Sequence, residues 1–294
     1  MRLFTLVFGS TTVSVATVTA VFLGGLAFGA YEGGAWGREA RRPVLWYGWL
    51  EIGVAIWAAG VPWAARAFES GLMDLADVVT LSPLMVGMLR AALAVVLVGP
   101  PAAAMGATLP LLAAAGPDAR WVGRLYGWNT VGAVAGTLAA GYLLIPSLGV
   151  TGTALTGACL NLLAGVGAFL MGRRHLDQPG EVVTQEPETP ASHADGTGRV
   201  FAAMALVGAA GLGFEVAWTR ALHLILGPSV YAFTAVLAVM LTGLAVGGLA
   251  GARLCAGPDE SRRRLAINLW ALAAAGLAVI PLFTQLPFLF LEAY

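Results

Sequence analysis

Five polar side chains stand inside or at the edge of long apolar runs. They are Glu51 in YGWLEIGVAIW, Arg90 in VGMLRAALAV, Asn129 in YGWNTVGAVAG, and Glu215 with Arg220 in GFEVAWTR. A charge at membrane depth is costly and normally faces a cavity, a ligand or a partner of opposite sign. The two carboxylates are therefore candidate ligands for a cation, and Arg90, Asn129 and Arg220 are candidate contacts of the same substrate. Structural pairing, or a position near the membrane interface, remains the alternative for the charged residues.

The spacing of three of these residues bears on the alternatives. Glu215 and Arg220 lie five residues apart, which is not the i, i+4 spacing that favours an ion pair on one helix. Asn129 lies about one turn before Gly132 and can hydrogen-bond to a neighbouring helix instead of a ligand.

Glycines recur at a spacing of four residues, which places each set on one face of a helix. Such faces let another helix backbone approach closely, although they can also line a substrate path. The candidate packing residues are Gly25, Gly29 and Gly33, then Gly132 and Gly136, then Gly243, Gly247 and Gly251.

The sequence contains no constellation typical of a soluble enzyme. It has no nucleophile elbow, no phosphate-binding loop with its lysine and no cluster of metal ligands. Cys159 and Cys255 are far apart and do not indicate a disulfide framework. We therefore predict no catalytic residue, no metal and no cofactor.

The elements that must position the polar residues are membrane helices. The sequence is 59% hydrophobic and only 11% charged, against roughly 25% charged in typical soluble domains. The formal net charge is zero, which gives no indication of nucleic-acid binding. We predict a protein whose main partner is the lipid bilayer.

Hydropathy divides the chain into spans and one linker. Residues 172–198 are rich in Pro, Glu, Thr and Asp, and they predict a flexible linker between two membrane halves. Eight spans are predicted, at residues 11–31, 45–65, 83–105, 122–145, 150–171, 200–218, 229–249 and 265–282.

The positive charges predict the orientation. All sixteen basic residues are arginine, and most fall in four segments on one side of the predicted topology: the loop GREARRP, the turn with Arg120 and Arg124, the linker, and RLCAGPDESRRR. Short arginine-rich loops are typical of the cytoplasmic side. The acidic segment FESGLMDLADVV and the uncharged turn PSLGVTG fall on the opposite side. The linker is therefore predicted to be cytoplasmic.

The chain also contains an internal repeat. A shift of 218 positions aligns Arg2 with Arg220, Gly25 with Gly243 and Gly29 with Gly247, and it gives twelve identities in about 33 positions. Both copies have the same predicted orientation, as in the parallel halves of major-facilitator transporters. The stretch INLWALAAAGLAV, which corresponds to the region of Glu51, has no acidic residue. We therefore predict that the two halves are unequal as cation sites.

Three stretches carry a family resemblance: GFEVAWTRALHLILGPSVYAF, GATLPLL and LYGWNTVGAVAGTLAAGYLLIPSLG. They resemble the membrane domain of bacterial fused spermidine-synthase-like proteins, in which a major-facilitator-like region precedes an aminopropyltransferase domain. That resemblance implies a soluble domain that binds decarboxylated S-adenosylmethionine and putrescine, but its motifs are not in this sequence. The matching membrane positions are Glu215, Trp218, Arg220, Gly227, Thr108, Pro110 and Asn129.

Together these patterns predict an all-α, polytopic transmembrane helix bundle, major-facilitator-like, with two parallel repeats and incomplete at both ends. Residues 1–171 would form the first half, with its first helix mostly missing and about five spans. Residues 172–198 would be the linker, and residues 199–294 would begin the second half with about three spans.

The leading functional hypothesis is a multi-pass protein of the bacterial inner membrane that moves a polyamine or a similar small cation. Rocking of the halves around a midplane site would carry the substrate, with Glu51 and Glu215 as its ligands. One alternative is a membrane anchor for a C-terminal aminopropyltransferase domain of a longer parent protein. Another is a non-transporting scaffold or fragment in which Glu51, Arg90 and Glu215 pair internally.

Overall fold

The computed structural model describes residues 12–78, 82–116, 119–174, 202, 205–219, 229–254 and 258–292. Within these ranges the chain is helical and contains no β-strand, which confirms the predicted all-α class. A π-helical segment, Ala139–Leu144, joins the helices Ala119–Leu138 and Ile145–Arg174. The helices are α1 (Thr12–Glu39), α2 (Pro43–Val78), α3 (Pro83–Ala114), α4 (Ala119–Leu138), α5 (Ile145–Arg174), α6 (Ala205–Thr219), α7 (Val230–Leu254) and α8 (Pro258–Glu292).

Four stretches of the described residues are long and apolar enough to cross a membrane. They are Pro43–Leu75, Leu84–Ala114, Trp121–Gly172 and Val230–Gly247. The chain is therefore a helical membrane protein. The predicted spans 122–145 and 150–171 both fall in the 52-residue stretch Trp121–Gly172. The predicted spans 200–218 and 265–282 coincide with the shorter apolar helices Ala205–Thr219 and Ala266–Pro281.

The longest of these stretches is kinked at Gly149. This residue has φ 68° and ψ −178°, which is not a helical conformation. A positive φ favours glycine, because a Cβ atom would clash with the backbone there. The kink lies in PSLGVTG, the segment that the sequence predicts as a turn, and it separates the two predicted spans.

The described chain divides into two compact units. Unit 1 comprises residues 1–126 and 139–199, and unit 2 comprises residues 127–138 and 200–294, each as far as its residues are described. The unit boundary at residue 138 coincides with the beginning of the π-helical segment.

In unit 1, α1 packs very closely against α3. A Cβ atom added at Gly25 would lie 2.7 Å from Ala102 Cβ, and one at Gly33 would lie 2.6 Å from Ala107 Cα. A Cβ at Gly29 would overlap the α3 backbone. Because the residue numbers of the contacts increase together along α1 and α3, the two helices run in the same direction. Small residues permit this close approach.

Helix α2 packs against both α3 and α5. A Cβ added at Gly48 would lie 3.0 Å from the Gly165 carbonyl oxygen, and one at Gly172 would lie 2.6 Å from Leu45 Cδ2. The residue numbers of the contacts increase along α2 while they decrease along α5, so these helices are antiparallel. Helix α2 is thus the central helix among the three.

Helix α3 continues through Pro100, Pro101 and Pro110, although these prolines interrupt the apolar segment in the sequence. Pro101 has no N–H group, so it cannot donate to the carbonyl of Leu97 four residues earlier. The Trp57 indole N–H of α2 donates to that oxygen at 3.0 Å. A neighbouring helix therefore replaces the bond that the proline removes.

The buried core of unit 1 is small. Ala65 of α2 packs with Ala94 and Leu97 of α3, and Val18 and Val21 of α1 pack against this cluster. Many large apolar side chains are instead exposed, as expected for surfaces that face lipid hydrocarbon.

The helix directions place the arginines of unit 1 mainly at one end. Leu45 lies beside Gly172, and the Trp121 indole donates to the Leu112 carbonyl at 2.9 Å. The end of α1, the start of α2, the end of α3, the start of α4 and the end of α5 therefore share one end. Its arginines are Arg38, Arg41, Arg42, Arg120, Arg124, Arg173 and Arg174. This arginine end lies opposite the end with Arg66, Glu69, Asp74 and Arg90.

Unit 2 combines the second part of α4 with α6, α7 and α8. A Cβ at Gly276 would lie 3.4 Å from the Phe214 ring, and one at Gly127 would lie 3.8 Å from Leu249 Cδ2. Ser229 caps α7, because its hydroxyl oxygen accepts from the Ala232 N–H at 3.1 Å.

Candidate functional site

Glu51 lies eight residues into α2, about 12 Å along the helix from its first residue. It is half-buried and shares a helix face with the buried residues Val54, Ala55 and Ala65. Tyr47, one turn earlier, donates a hydrogen bond from its hydroxyl to the Glu51 carboxylate. The structure therefore presents a carboxylate with a fixed hydroxyl partner on the interior face of a membrane-spanning helix.

The backbone around Glu51 is held by α5. The Trp49 ring packs edge-on against Phe169, with ring centroids 5.6 Å apart. Gly48 and Gly165 lie in the same crossing, where a Cβ on Gly165 would lie 2.9 Å from the Gly48 carbonyl oxygen. These contacts hold the turn of α2 that carries Glu51 against α5.

A further hydroxyl-bearing residue, Thr108, lies on α3, which packs against α2. Ala65 and Ala94 belong to the same buried cluster between the antiparallel helices α2 and α3. Glu51 lies fourteen residues before Ala65, and Thr108 lies fourteen residues after Ala94. The Thr108 hydroxyl donates to the Met105 carbonyl at 2.6 Å, and its oxygen can still accept. Thr108 thus offers a second hydroxyl on a helix that packs against the helix of Glu51.

Arg90 lies at the other end of the α2–α3 interface, one turn before Ala94 and on the same face. Its Nε atom is buried and has no hydrogen-bond partner among the described residues. Glu69 lies one turn after Ala65, so the register places it at the level of Arg90. No ion pair joins these two described side chains.

Sequence reasoning missed Tyr47 and Glu69. The i, i+4 spacing of Tyr47 and Glu51 is visible in the sequence and indicates side chains that meet on a helix. Glu69 belongs to FESGLMDLADVV, which the sequence predicts as an acidic segment outside the span, whereas α2 continues as a helix to Val78.

The other predicted binding residues are not in the same unit. Glu51 and Arg90 lie in unit 1, whereas Asn129 and Glu215 lie in unit 2. Asn129 is exposed on α4, and Glu215 is half-buried on α6. Arg220 lies outside the described residues.

The predicted packing glycines also differ in their surroundings. Gly25, Gly29 and Gly33 lie at the α1–α3 crossing. At four others, Gly132, Gly136, Gly243 and Gly247, an added Cβ would meet no described atom within 4 Å. Gly251 lies on α7. Close packing of the second and third sets stays a prediction.

Within the described part of the chain, no three His, Cys, Asp or Glu side chains come together as a metal site. Cys159 is a free, exposed thiol.

No protein-family model, curated protein or solved structure matches this chain. The polar groups on α2 and α3 are therefore the basis for a functional assignment.

Proposed function

We propose that this chain is the membrane domain of a major-facilitator-like transporter of the bacterial inner membrane, which moves a small organic cation such as a polyamine. The observation that carries this proposal is Glu51, a half-buried carboxylate on the interior face of α2. Its polar partner among the described residues is the neutral Tyr47 hydroxyl. An ionised carboxylate at membrane depth needs a positive partner, and a cationic substrate would supply it.

The groups around Glu51 favour an ammonium ion over a metal ion. A primary ammonium group has three N–H donors, two of which would match the Glu51 carboxylate and the Tyr47 hydroxyl oxygen. Calcium would require six or more oxygen ligands, and magnesium near-octahedral coordination.

The two-half mechanism draws support from two observations. The sequence repeats with a shift of 218 residues, and the described chain forms two compact units. In this proposal Glu215, in the second half of the sequence, is the second candidate cation ligand. The resemblance to spermidine-synthase-like membrane domains is the reason for choosing polyamines as the first substrates to test.

The arginine end is proposed to face the cytoplasm. Seven arginines lie at this end of unit 1, as expected from the positive-inside rule. Because α5 ends at Arg174 there, the linker 172–198 would begin on the cytoplasmic side.

Uptake of radiolabelled putrescine and spermidine into proteoliposomes tests the proposal. Saturable uptake is expected for the wild type, and Glu51→Gln is expected to reduce it at least tenfold through loss of the charge. Tyr47→Phe removes one hydrogen bond and should reduce it roughly two- to tenfold. Glu69→Gln is the matched control, because it neutralises a carboxylate on the same helix outside the site.

Two outcomes would contradict the transport proposal: no saturable flux of either amine through the wild type, or equal loss in the Glu51→Gln and Glu69→Gln variants. The first outcome would favour the anchor hypothesis, which rests on the resemblance of GATLPLL and LYGWNTVGAVAG to the synthase-linked family.

A further inference from the structure

The turn between α1 and α2 is short and well defined. Helix α1 ends at Glu39, and the Ala40 N–H donates to the Trp36 carbonyl at 2.8 Å. Helix α2 begins at Pro43, and the Arg42 carbonyl accepts from the Leu45 N–H at 3.1 Å. Three residues therefore reverse the chain, which holds their side chains close together.

This turn has a concentrated positive charge. Arg38, Arg41 and Arg42 are all exposed, and Glu39 is the one carboxylate between them. Helix α2 begins at this turn, and the dipole of its N-terminus adds a partial positive charge. The contact between Leu45 and Gly172 brings the end of α5 to the same corner.

Two tryptophans form an apolar wall beside these arginines. The Trp36 and Trp46 rings are stacked, with centroids 5.1 Å apart and an interplanar angle of 29°. They remain 48% and 45% exposed. Tryptophan is enriched where the headgroup region of a bilayer meets its hydrocarbon, because the indole has both apolar and polar surfaces.

We propose that the α1–α2 turn binds the phosphate of an anionic phospholipid. The phosphate would be held by Arg38, Arg41 and Arg42. One guanidinium group can donate two parallel N–H bonds to phosphate oxygens. The exposed faces of Trp36 and Trp46 would contact the glycerol and upper acyl chain. That combination selects a lipid over inorganic phosphate, which has no apolar part to cover the rings. The site is independent of the transport proposal.

Lipid-dependent thermal unfolding of the purified full chain in neutral detergent tests this site. Phosphatidylglycerol is expected to raise the melting temperature more than phosphatidylcholine, with inorganic phosphate at equal concentration having no effect. The Arg41→Gln/Arg42→Gln variant should bind phosphatidylglycerol about thirtyfold more weakly, because each basic residue near an anionic surface contributes a factor of about five. Retained lipids are counted by native mass spectrometry.

Two further variants make the test specific. Arg66→Gln/Arg263→Gln removes two exposed arginines outside the turn and should keep the preference for phosphatidylglycerol. Trp36→Leu keeps every arginine and should weaken retention of the lipid, so it carries the test if the arginine variant does not fold. Equal shifts with both lipids, equal loss in the control variant, or displacement of phosphatidylglycerol by inorganic phosphate would overturn the proposal.

Discussion

Arg90 and Glu51 are both charged residues within membrane-spanning helices, but their surroundings differ. The Glu51 carboxylate accepts a hydrogen bond from Tyr47, whereas the buried Nε of Arg90 has no partner among the described residues. The sequence could identify both positions, since a charge in an apolar run is conspicuous. It could not distinguish them, because burial and partners depend on how α2 and α3 pack.

Arg90→Met is expected to leave the melting temperature in detergent unchanged or to raise it. A buried donor without a partner costs about 1–3 kcal/mol of stability. The change removes that donor and keeps a side chain of similar length. Arg66→Met is the matched control on α2, because the Arg66 Nη2 donates to the Thr151 hydroxyl at 2.7 Å. The control should lower the melting temperature. A larger loss for Arg90→Met than for the control would show that Arg90 has a partner, with Glu69 the first candidate.

The lengths of the helices show what hydropathy can predict. It places the apolar centre of α2 at residues 45–65, but the helix extends to Val78. Its 36 residues span about 54 Å, longer than a hydrocarbon layer of about 30 Å. Hydropathy detects only the part of a helix that suits hydrocarbon, so it assigns Glu69 and Asp74 to a segment outside the span although both are helical.

Helix α3 shows a second limit of the sequence. A proline inside a helix removes a backbone donor, yet α3 is continuous through Pro100, Pro101 and Pro110. The compensating donor for the Leu97 carbonyl is Trp57, forty residues away in the sequence. Local patterns can predict that a carbonyl is freed by Pro101, but they cannot predict which neighbouring helix satisfies it.

Trp57→Phe is expected to destabilise the protein by about 1–3 kcal/mol, because it leaves the buried Leu97 carbonyl without a donor. The matched background is Pro101→Ala, in which the backbone N–H gained at position 101 can donate to the same oxygen. In the Pro101→Ala background, Trp57→Phe should lower the free energy of unfolding by clearly less. Unfolding of the four proteins of this double-mutant cycle measures the difference. Equal costs in both backgrounds would show that the Trp57 hydrogen bond does not replace the one lost at the proline.

At the scale of the whole molecule, the repeated sequence does not produce repeated packing among the described residues. Gly25 and Gly29 lie against the α3 backbone, whereas their counterparts Gly243 and Gly247 meet no described atom within 4 Å of an added Cβ. The sequence could therefore predict a helical membrane protein. It could not predict which helices pair, because the packing of a glycine face also depends on the residues of the other helix.

The distribution of arginines predicts the orientation of the whole chain. The helix directions in unit 1 place Ala40 at the arginine end and Ser82, which precedes α3, at the opposite end. Ala40→Cys and Ser82→Cys, each made with Cys159 and Cys255 changed to Ser, can be labelled with a membrane-impermeant maleimide. In right-side-out vesicles the Ser82 variant should react and the Ala40 variant should not, and inverted vesicles should give the reverse. Membrane permeabilisation should make both react, which controls for buried thiols. Labelling of Ala40→Cys in right-side-out vesicles would place the arginine end outside the cell and exclude a cytoplasmic start of the linker.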